Sequence, residues 1–237
     1  METLKKAIIA AAGMGNRLHP VTLETPKPLV RVNGVRMIDT QILALKENGI
    51  HEIYIVTGYK EELFRKAFAD DPEIHIISNP YYTEGNNITS LYVARNLLPG
   101  SFVLEGDLMV RNCEILNPCV KYSGYCATPM DPVPKNEWAL HVENERIISC
   151  NPRGNEKALR LWGISMWTET DGKLLSLLLE EQFEEKKNWQ IYWDELALFQ
   201  YPKAIELGVR TVQAGDLTEI DSLEELVEID ATYASFL

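Results

Sequence analysis

The feature that most restricts the fold is a regular exchange between short apolar runs and segments of helical spacing. KKAIIAAA, EIYIVTG and EIHIIS have the length and apolar character of buried strands. Between them, MIDTQILALKENG and KEELFRKAFAD carry apolar residues at helical spacing, and Gly49 sits where a C-cap glycine belongs. NNITSLYVARNLLPG predicts another helix, stopped by Pro99-Gly100, and SFVLEGD a strand ending in acid. Strands and helices alternating through short links give a mostly parallel sheet covered on both faces. Ligands of such sheets bind beyond the carboxyl ends of the strands, where the first loop, Gly58, Asn79 and Asp107 fall.

The rhythm changes after Asp107. SGYCATPM, WALHVE, RIISC and LRLWGISMW read as strands with no clear helix between them, an extension of the sheet that forms a second wall. KLLSLLLEEQFEEKK and DELALFQYPKAI predict helices, GVRTVQA a strand and SLEELVEIDATYASF a closing helix. No repeat and no long linker interrupts the 237 residues, so 1–237 is expected to form one domain around a sizeable core.

Two glycines, Gly13 and Gly15, follow the first strand within AAAGMGNRLHPVTLETPKPL, and two cations follow them, Arg17 and a Lys27 set between Pro26 and Pro28. Small residues let a ligand approach the backbone, and the cations suit an anion. The glycine frame of a Walker-type phosphate loop is missing before Lys27. A dinucleotide fingerprint would need a glycine where Leu18 stands. The residues fit a loop whose amides wrap a triphosphate while Arg17 reaches the outer phosphates. On local chemistry alone a plain strand-to-helix turn fits equally.

The net charge of −12 argues against a nucleic-acid partner. Lys5, Lys6, Arg17, Lys27, Arg31 and Arg36 nevertheless concentrate cations in the first segment, and nothing after Arg210 is basic. A cationic site in an acidic chain suits a small phosphorylated ligand. The four cysteines form no C-x-x-C pair and the four histidines show no metal-type spacing, as expected for reduced cysteines in a cytosolic chain. The opening apolar run is too short for an export signal, and no stretch approaches the ~20 apolar residues that span a bilayer. A cytoplasmic location without membrane insertion is expected.

A-A-G-x-G-x-R-L, followed at fixed spacing by T-x-x-x-P-K-P-L, resembles the signature of the sugar-nucleotide-type nucleotidyltransferases. NPYYTEGNNITSLY, LEGD, NEWALHV, WGISMW, YWDEL and EIDSLEEL then occur in the order of the bacterial-type choline-phosphate cytidylyltransferases, so the resemblance covers nearly the whole chain. It implies a Rossmann-like three-layer α/β/α nucleotidyltransferase fold with a mixed, mostly parallel central sheet. Residues 1–112 would serve mainly the nucleotide, and 113–237 the acceptor and completion of the metal site. Ala11, Ala12, Gly13, Gly15 and Asn16 would hold the nucleotide, Asn16 departing from the usual Ser or Thr. Lys27 and Arg17 would act at the reacting phosphates.

The same resemblance makes Asn86, Asn87 and Ser90 nucleotide contacts, although a turn and helix N-cap is the local alternative. Asp107 and Asp221 are the expected Mg2+ ligands. Ser222-x-x-Glu225 also reads as a capping box, which leaves Asp221 open to a helix-start role. Glu105 stands where many relatives begin a D-x-D.

For the acceptor the resemblance points to Trp138, Tyr192 and Asp194, with Trp193 and Glu195 beside them. Aromatic faces plus a carboxylate hold a quaternary ammonium, which cannot donate hydrogen bonds. Core packing is the alternative for the aromatics, and an N-cap role for Asp194. Trp162 and Trp167 stand at odd spacing on one strand and face opposite sides, so at most one meets a ligand.

The implied reaction is Mg2+-dependent transfer of CMP from CTP to phosphocholine, giving CDP-choline and pyrophosphate. Rival acceptors are 2-aminoethylphosphonate or a sugar 1-phosphate. A catalytically inactive nucleotide-binding regulator is the rival from another class, and retention of Lys27 with both aspartates speaks against it. The sequence leaves the oligomeric state open, a homo-oligomer included.

Overall fold

Both parities of the first strand are apolar, and both are buried: Ala7 and Ile9 point into one core, Ile8 into another. A strand of this kind needs cover on each face. The computed structural model describes residues Met1–Leu237. Strands β1 (Lys6–Ala11), β2 (Glu52–Thr57), β3 (Ile74–Ser78) and β4 (Ser101–Glu105) run parallel in the order β3-β2-β1-β4. Helices α1 (Met37–Glu47) and α2 (Glu61–Ala67) cover one face through Ile38, Ile42, Leu45 and Phe64. Helices α3 (Ile88–Ala94) and α4 (Glu169–Glu180) cover the other through Ile88, Leu91, Leu175 and Leu179. Each such fully buried side chain contributes about 1.5–3 kcal/mol.

The second wall is β5 (Gly124–Met130), β6 (Ala139–Glu143), β7 (Arg146–Asn151), β8 (Ala158–Trp167) and β9 (Gly208–Thr211). β8 joins it to the parallel half by pairing antiparallel with β4. β5 pairs with β8 and β9, β6 with β7 and β8, and one pairing between Arg146 and Gly208 closes the circuit. The sheet is therefore mixed: parallel where helices cross between strands, and largely antiparallel beyond β4.

Two local devices aim this frame at its carboxyl end. Buried Gln41, on α1, donates to the carbonyls of Glu105 (2.8 Å) and Leu108 (2.7 Å), which fixes the turn carrying Asp107. A third core packs Leu18, Val30 and Met37 against Ile220, Leu223 and Leu226. It brings helix α5 (Leu223–Ile229), and Asp221 just before it, up to the first loop.

Three expected helices are shorter than their apolar pattern. Residues 194–205 form only one wide turn, Leu196–Gln200, closed by Tyr201 N–H to the Leu196 carbonyl at 2.8 Å. The closing helix stops at Ile229, where the Asp230 side chain accepts from Thr232 N–H and starts a 3-10 segment. α3 passes into a 3-10 turn at Arg95–Leu97 before Pro99.

Candidate active site

A cleft of about 750 Å3 opens at the carboxyl ends of the parallel strands. The first loop forms one side of it. Gly15 has φ of 65°, and a Cβ there would stand 3.1 Å from both Lys27 Cβ and Thr22 Cγ2. Only glycine adopts this close left-handed turn cheaply. Buried Thr22 donates to the Gly15 carbonyl at 2.9 Å, and Tyr59 N–H to that of Ala12 at 3.1 Å, so the loop is held from behind. A Cβ added at Gly13 would meet nothing within 4 Å. Ala11, Ala12, Gly13, Gly15, Asn16 and Arg17 all line the cleft.

Lys27 reaches in from the segment that packs behind this loop. Its Nζ donates to Asp107 Oδ2 at 2.8 Å and Asp221 Oδ1 at 3.0 Å, with only 9% of the side chain exposed. Burial pulls the ammonium pKa down, but Asp107 and then Asp221 outweigh it and leave the value raised. Arg17, on the open side, donates to the same Asp221 oxygen at 2.7 Å. The capping box is present, but Ser222 and Glu225 perform it: Glu225 N–H donates to Ser222 Oγ, and the Glu225 carboxylate accepts from Ser222 and Asp221 N–H. The Asp221 carboxylate is thereby free to face the cations.

Carboxylate oxygens of Glu105, Asp107 and Glu219 lie within 4.8 Å of one another. Burial, then Asp107 and Asp194, push the Glu105 pKa well above the usual carboxylate range. Burial, then Asp107 and Asp221, push that of Glu219 up to about 8 against the pull of Arg160. Glu105 fits because residue 163 is glycine: a Cβ there would stand 2.5 Å from Glu105 Oε2.

Asn87 heads α3 without capping it. Its Nδ2 donates to Glu105 Oε1 at 2.9 Å, and its Oδ1 accepts from Trp193 N–H at 3.0 Å. Ser90 is 4% exposed, and its hydroxyl accepts from Asn79 Nδ2 at 3.2 Å. Asn86 accepts from Asn87 N–H at 2.8 Å, while its own N–H donates to the Trp189 carbonyl at 2.7 Å. All three asparagines and Ser90 line the cleft.

At the far end, the Trp138 and Tyr192 rings meet edge to face at 6.2 Å, with Tyr192 about half exposed. Asp194 lies beyond them, buried, with Oδ1 lacking any hydrogen-bond partner. Burial pushes its pKa up to about 8 against the pull of the nearby Tyr125 hydroxyl. Two residues expected here do not line the cleft. Trp193 is fully buried between Tyr125 and Trp167, in the aromatic core behind the cleft. Glu195 folds back to accept from Tyr192 N–H at 2.9 Å. Trp162 and Trp167 point into opposite cores, and neither lines the cleft.

Residues 6–123 match the family described as nucleotidyl transferase. The 2-aminoethylphosphonate cytidylyltransferase of Lancefieldella rimae is 31% identical over 98% of this chain and 94% of its own length. The chain belongs to the nucleotidyltransferase family. The choline-phosphate cytidylyltransferase of Streptococcus pneumoniae is 28% identical over 95% of this chain and 96% of its own length. A solved structure of the CTP:phosphocholine cytidylyltransferase from Streptococcus pneumoniae superposes with a TM-score of 0.87 at 29% identity, covering 97% of this chain and 99% of that one.

The chain is thus an enzyme of nucleotidyltransferase type, and its cleft is chemically suited to the divalent metal such enzymes generally use. Three carboxylates cluster there beside Lys27 and Arg160, and Asp107 Oδ1 is buried with no hydrogen-bond partner, an oxygen left over for a divalent ion. Sequence reasoning left Glu105 without an assigned role and missed Glu219 and Arg160. Glu219 sits two residues before Asp221, a spacing that puts both on one side of an extended segment. That periodicity was the available signal for Glu219. Arg160 carries no local signal, since its partners are distant in the chain.

Proposed function

We propose that this nucleotidyltransferase transfers CMP from CTP to phosphocholine, releasing pyrophosphate. The observation that carries the acceptor is the pairing of Trp138 and Tyr192 with a buried Asp194 whose free oxygen is out of solvent reach. A bound cation favours the ionised form of this carboxyl, which then acts through its field rather than by accepting a hydrogen bond. That suits a trimethylammonium over a donor-rich amine, each aromatic face adding about 0.5–2 kcal/mol.

The acceptor phosphate is largely dianionic at neutral pH, its second pKa being near 6, so it can attack the α-phosphorus without a protein base. Lys27, held by Asp107 and Asp221, is oriented toward the cleft floor and stabilises charge developing on the phosphates. Arg17, 70% exposed, is free to swing from Asp221 onto the departing pyrophosphate. The first-loop amides fix the triphosphate so that attack and departure stay in line. Asp107 and Asp221, with Glu219 beside them, would hold Mg2+, which when bound neutralises phosphate charge.

A second reading, 2-aminoethylphosphonate as acceptor, is favoured by the Lancefieldella rimae relative, which bears that name. A pyrophosphate-release screen crossing four nucleoside triphosphates with phosphocholine, phosphoethanolamine, 2-aminoethylphosphonate and glucose 1-phosphate tests both. The expected best pair is CTP with phosphocholine. Preference for the phosphonate replaces the first reading with the second, and release with none of the pairs removes both.

A further inference from the structure

Six carboxylates line the cleft (Glu105, Asp107, Glu137, Asp194, Glu219 and Asp221) against two cations, Lys27 and Arg17. A third cation, Arg160 of β8, stands behind the wall with 16% of its side chain exposed. Its Nη2 donates to Glu219 Oε2 at 2.5 Å and its Nε to Glu137 Oε2 at 3.1 Å. The guanidinium carbon lies 4.2 Å from the ring centroid of Trp162, which is itself fixed by donating to Thr128 Oγ1 at 2.8 Å. One planar group is therefore stacked on an indole and forked between carboxylates of two separate segments.

Those segments carry different parts of the cleft. Glu137 immediately precedes Trp138, and Glu219 ends the strand Leu217–Glu219 two residues before Asp221. Backbone bonds hold the turn to the β7–β8 connection, with Val133 N–H to the Glu156 carbonyl (2.8 Å) and Asn136 N–H to that of Arg153 (2.9 Å), and to β8 itself, with Leu161 N–H to the Trp138 carbonyl (2.9 Å). Arg160 supplies the link to the Glu219 side.

We propose that Arg160 is a positioning residue for the acceptor: it ties the Asn136–Trp138 turn to the strand bearing Glu219, and so fixes Trp138 at the acceptor end of the cleft. It also neutralises two carboxylates that would otherwise face an incoming phosphate dianion. This rests on the reading of Trp138 as acceptor wall. A lysine offers one ammonium in place of a rigid fork and cannot span both partners.

The test compares wild type, Arg160→Lys, Arg160→Gln, Glu137→Gln and the Arg160→Gln/Glu137→Gln double variant. The readouts are KM for the best acceptor of the screen, KM for the nucleotide, and amide hydrogen exchange over residues 131–138. Arg160→Gln is expected to raise acceptor KM at least fivefold with nucleotide KM within twofold, and to speed exchange in that turn at least fivefold. Arg160→Lys is expected to behave alike, and the double variant to be no worse than Arg160→Gln alone.

Equal rises in both KM values, or acceptor KM and exchange both within twofold of wild type, would overturn the proposal. If Arg160→Gln fails to fold, Arg160→Lys and Glu137→Gln decide by the same criteria. If wild type releases no pyrophosphate with any acceptor, the functional reading fails, and the exchange rates alone still decide whether Arg160 anchors the turn.

Discussion

Lys27 and Asp107 meet at 2.8 Å at the floor of the cleft, joining the proline-flanked segment to the turn after the central strand β4. The pair is almost closed to solvent on the lysine side and a quarter exposed on the aspartate side. In the proposed reaction this ammonium moves its attention from carboxylate to phosphate. Lys27→Ala is therefore expected to lower kcat by about 10²–10³ or more, the scale of losing one charge-stabilising donor. Steady-state pyrophosphate release, with circular dichroism to verify folding, checks this; near-normal turnover would remove Lys27 from the chemistry.

The two glycines of the first loop should separate cleanly. At Gly13 a methyl group meets no protein atom, so Gly13→Ala should leave the melting temperature within about a degree while raising KM for CTP at least tenfold. At Gly15 the positive φ and the 3.1 Å approaches to Lys27 and Thr22 predict a loss of roughly 1–2 kcal/mol in stability for Gly15→Ala. Thermal melts beside KM measurements read both. An unchanged KM in Gly13→Ala would mean that no ligand occupies that space.

Asp194 gives the site a pH dependence. Its pKa is raised from the ordinary 3.8 to about 8, so the folded protein holds a proton that the unfolded chain releases. The stability this contributes is fully present below 3.8 and is lost as pH rises through about 8. Binding a cationic headgroup favours the ionised form, so KM for phosphocholine should fall as pH rises from 6.5 to 8. Asp194→Asn should flatten both the KM profile and part of the fall in melting temperature. A KM profile identical in the variant would show that Asp194 does not sense the acceptor.

Trp138 and Trp193 are neighbours in composition and opposites in place. Trp138→Ala should raise acceptor KM by about 2–30-fold with little effect on stability, the span of one cation–π contact. Trp193→Ala removes a fully buried indole from the aromatic cluster and should cost about 3–5 kcal/mol in denaturant titration. Equal kinetic effects from the two would place the headgroup elsewhere.

This contrast marks where sequence reasoning runs out. The parallel half was legible because β1, β2 and β4 are apolar on both parities and α1 ends at a left-handed Gly49. The first loop and Lys27 were legible because the spacing is local. The side of Trp193 depended on the exact phase of residues 192–194, which no periodic pattern fixes in a segment with only one wide turn after it. Asn87 had a local alternative as an N-cap, yet its amide is spent on Glu105 and Trp193, partners 18 and 106 residues away. The carboxylate cluster joins residues 105, 107 and 219, and the antiparallel pairing of Leu217–Glu219 with Leu108–Val110, which sets Glu219 opposite Leu108, brings those ends together.

The most direct measurement is phosphorus NMR of the protein with CTP, phosphocholine and Mg2+. The account predicts loss of the triphosphate and phosphomonoester signals in equal amounts, with growth of pyrophosphate and of one diphosphate diester, all dependent on Lys27. Release of CMP without the diester, or an unchanged spectrum with another substrate pair reacting in its place, would contradict it.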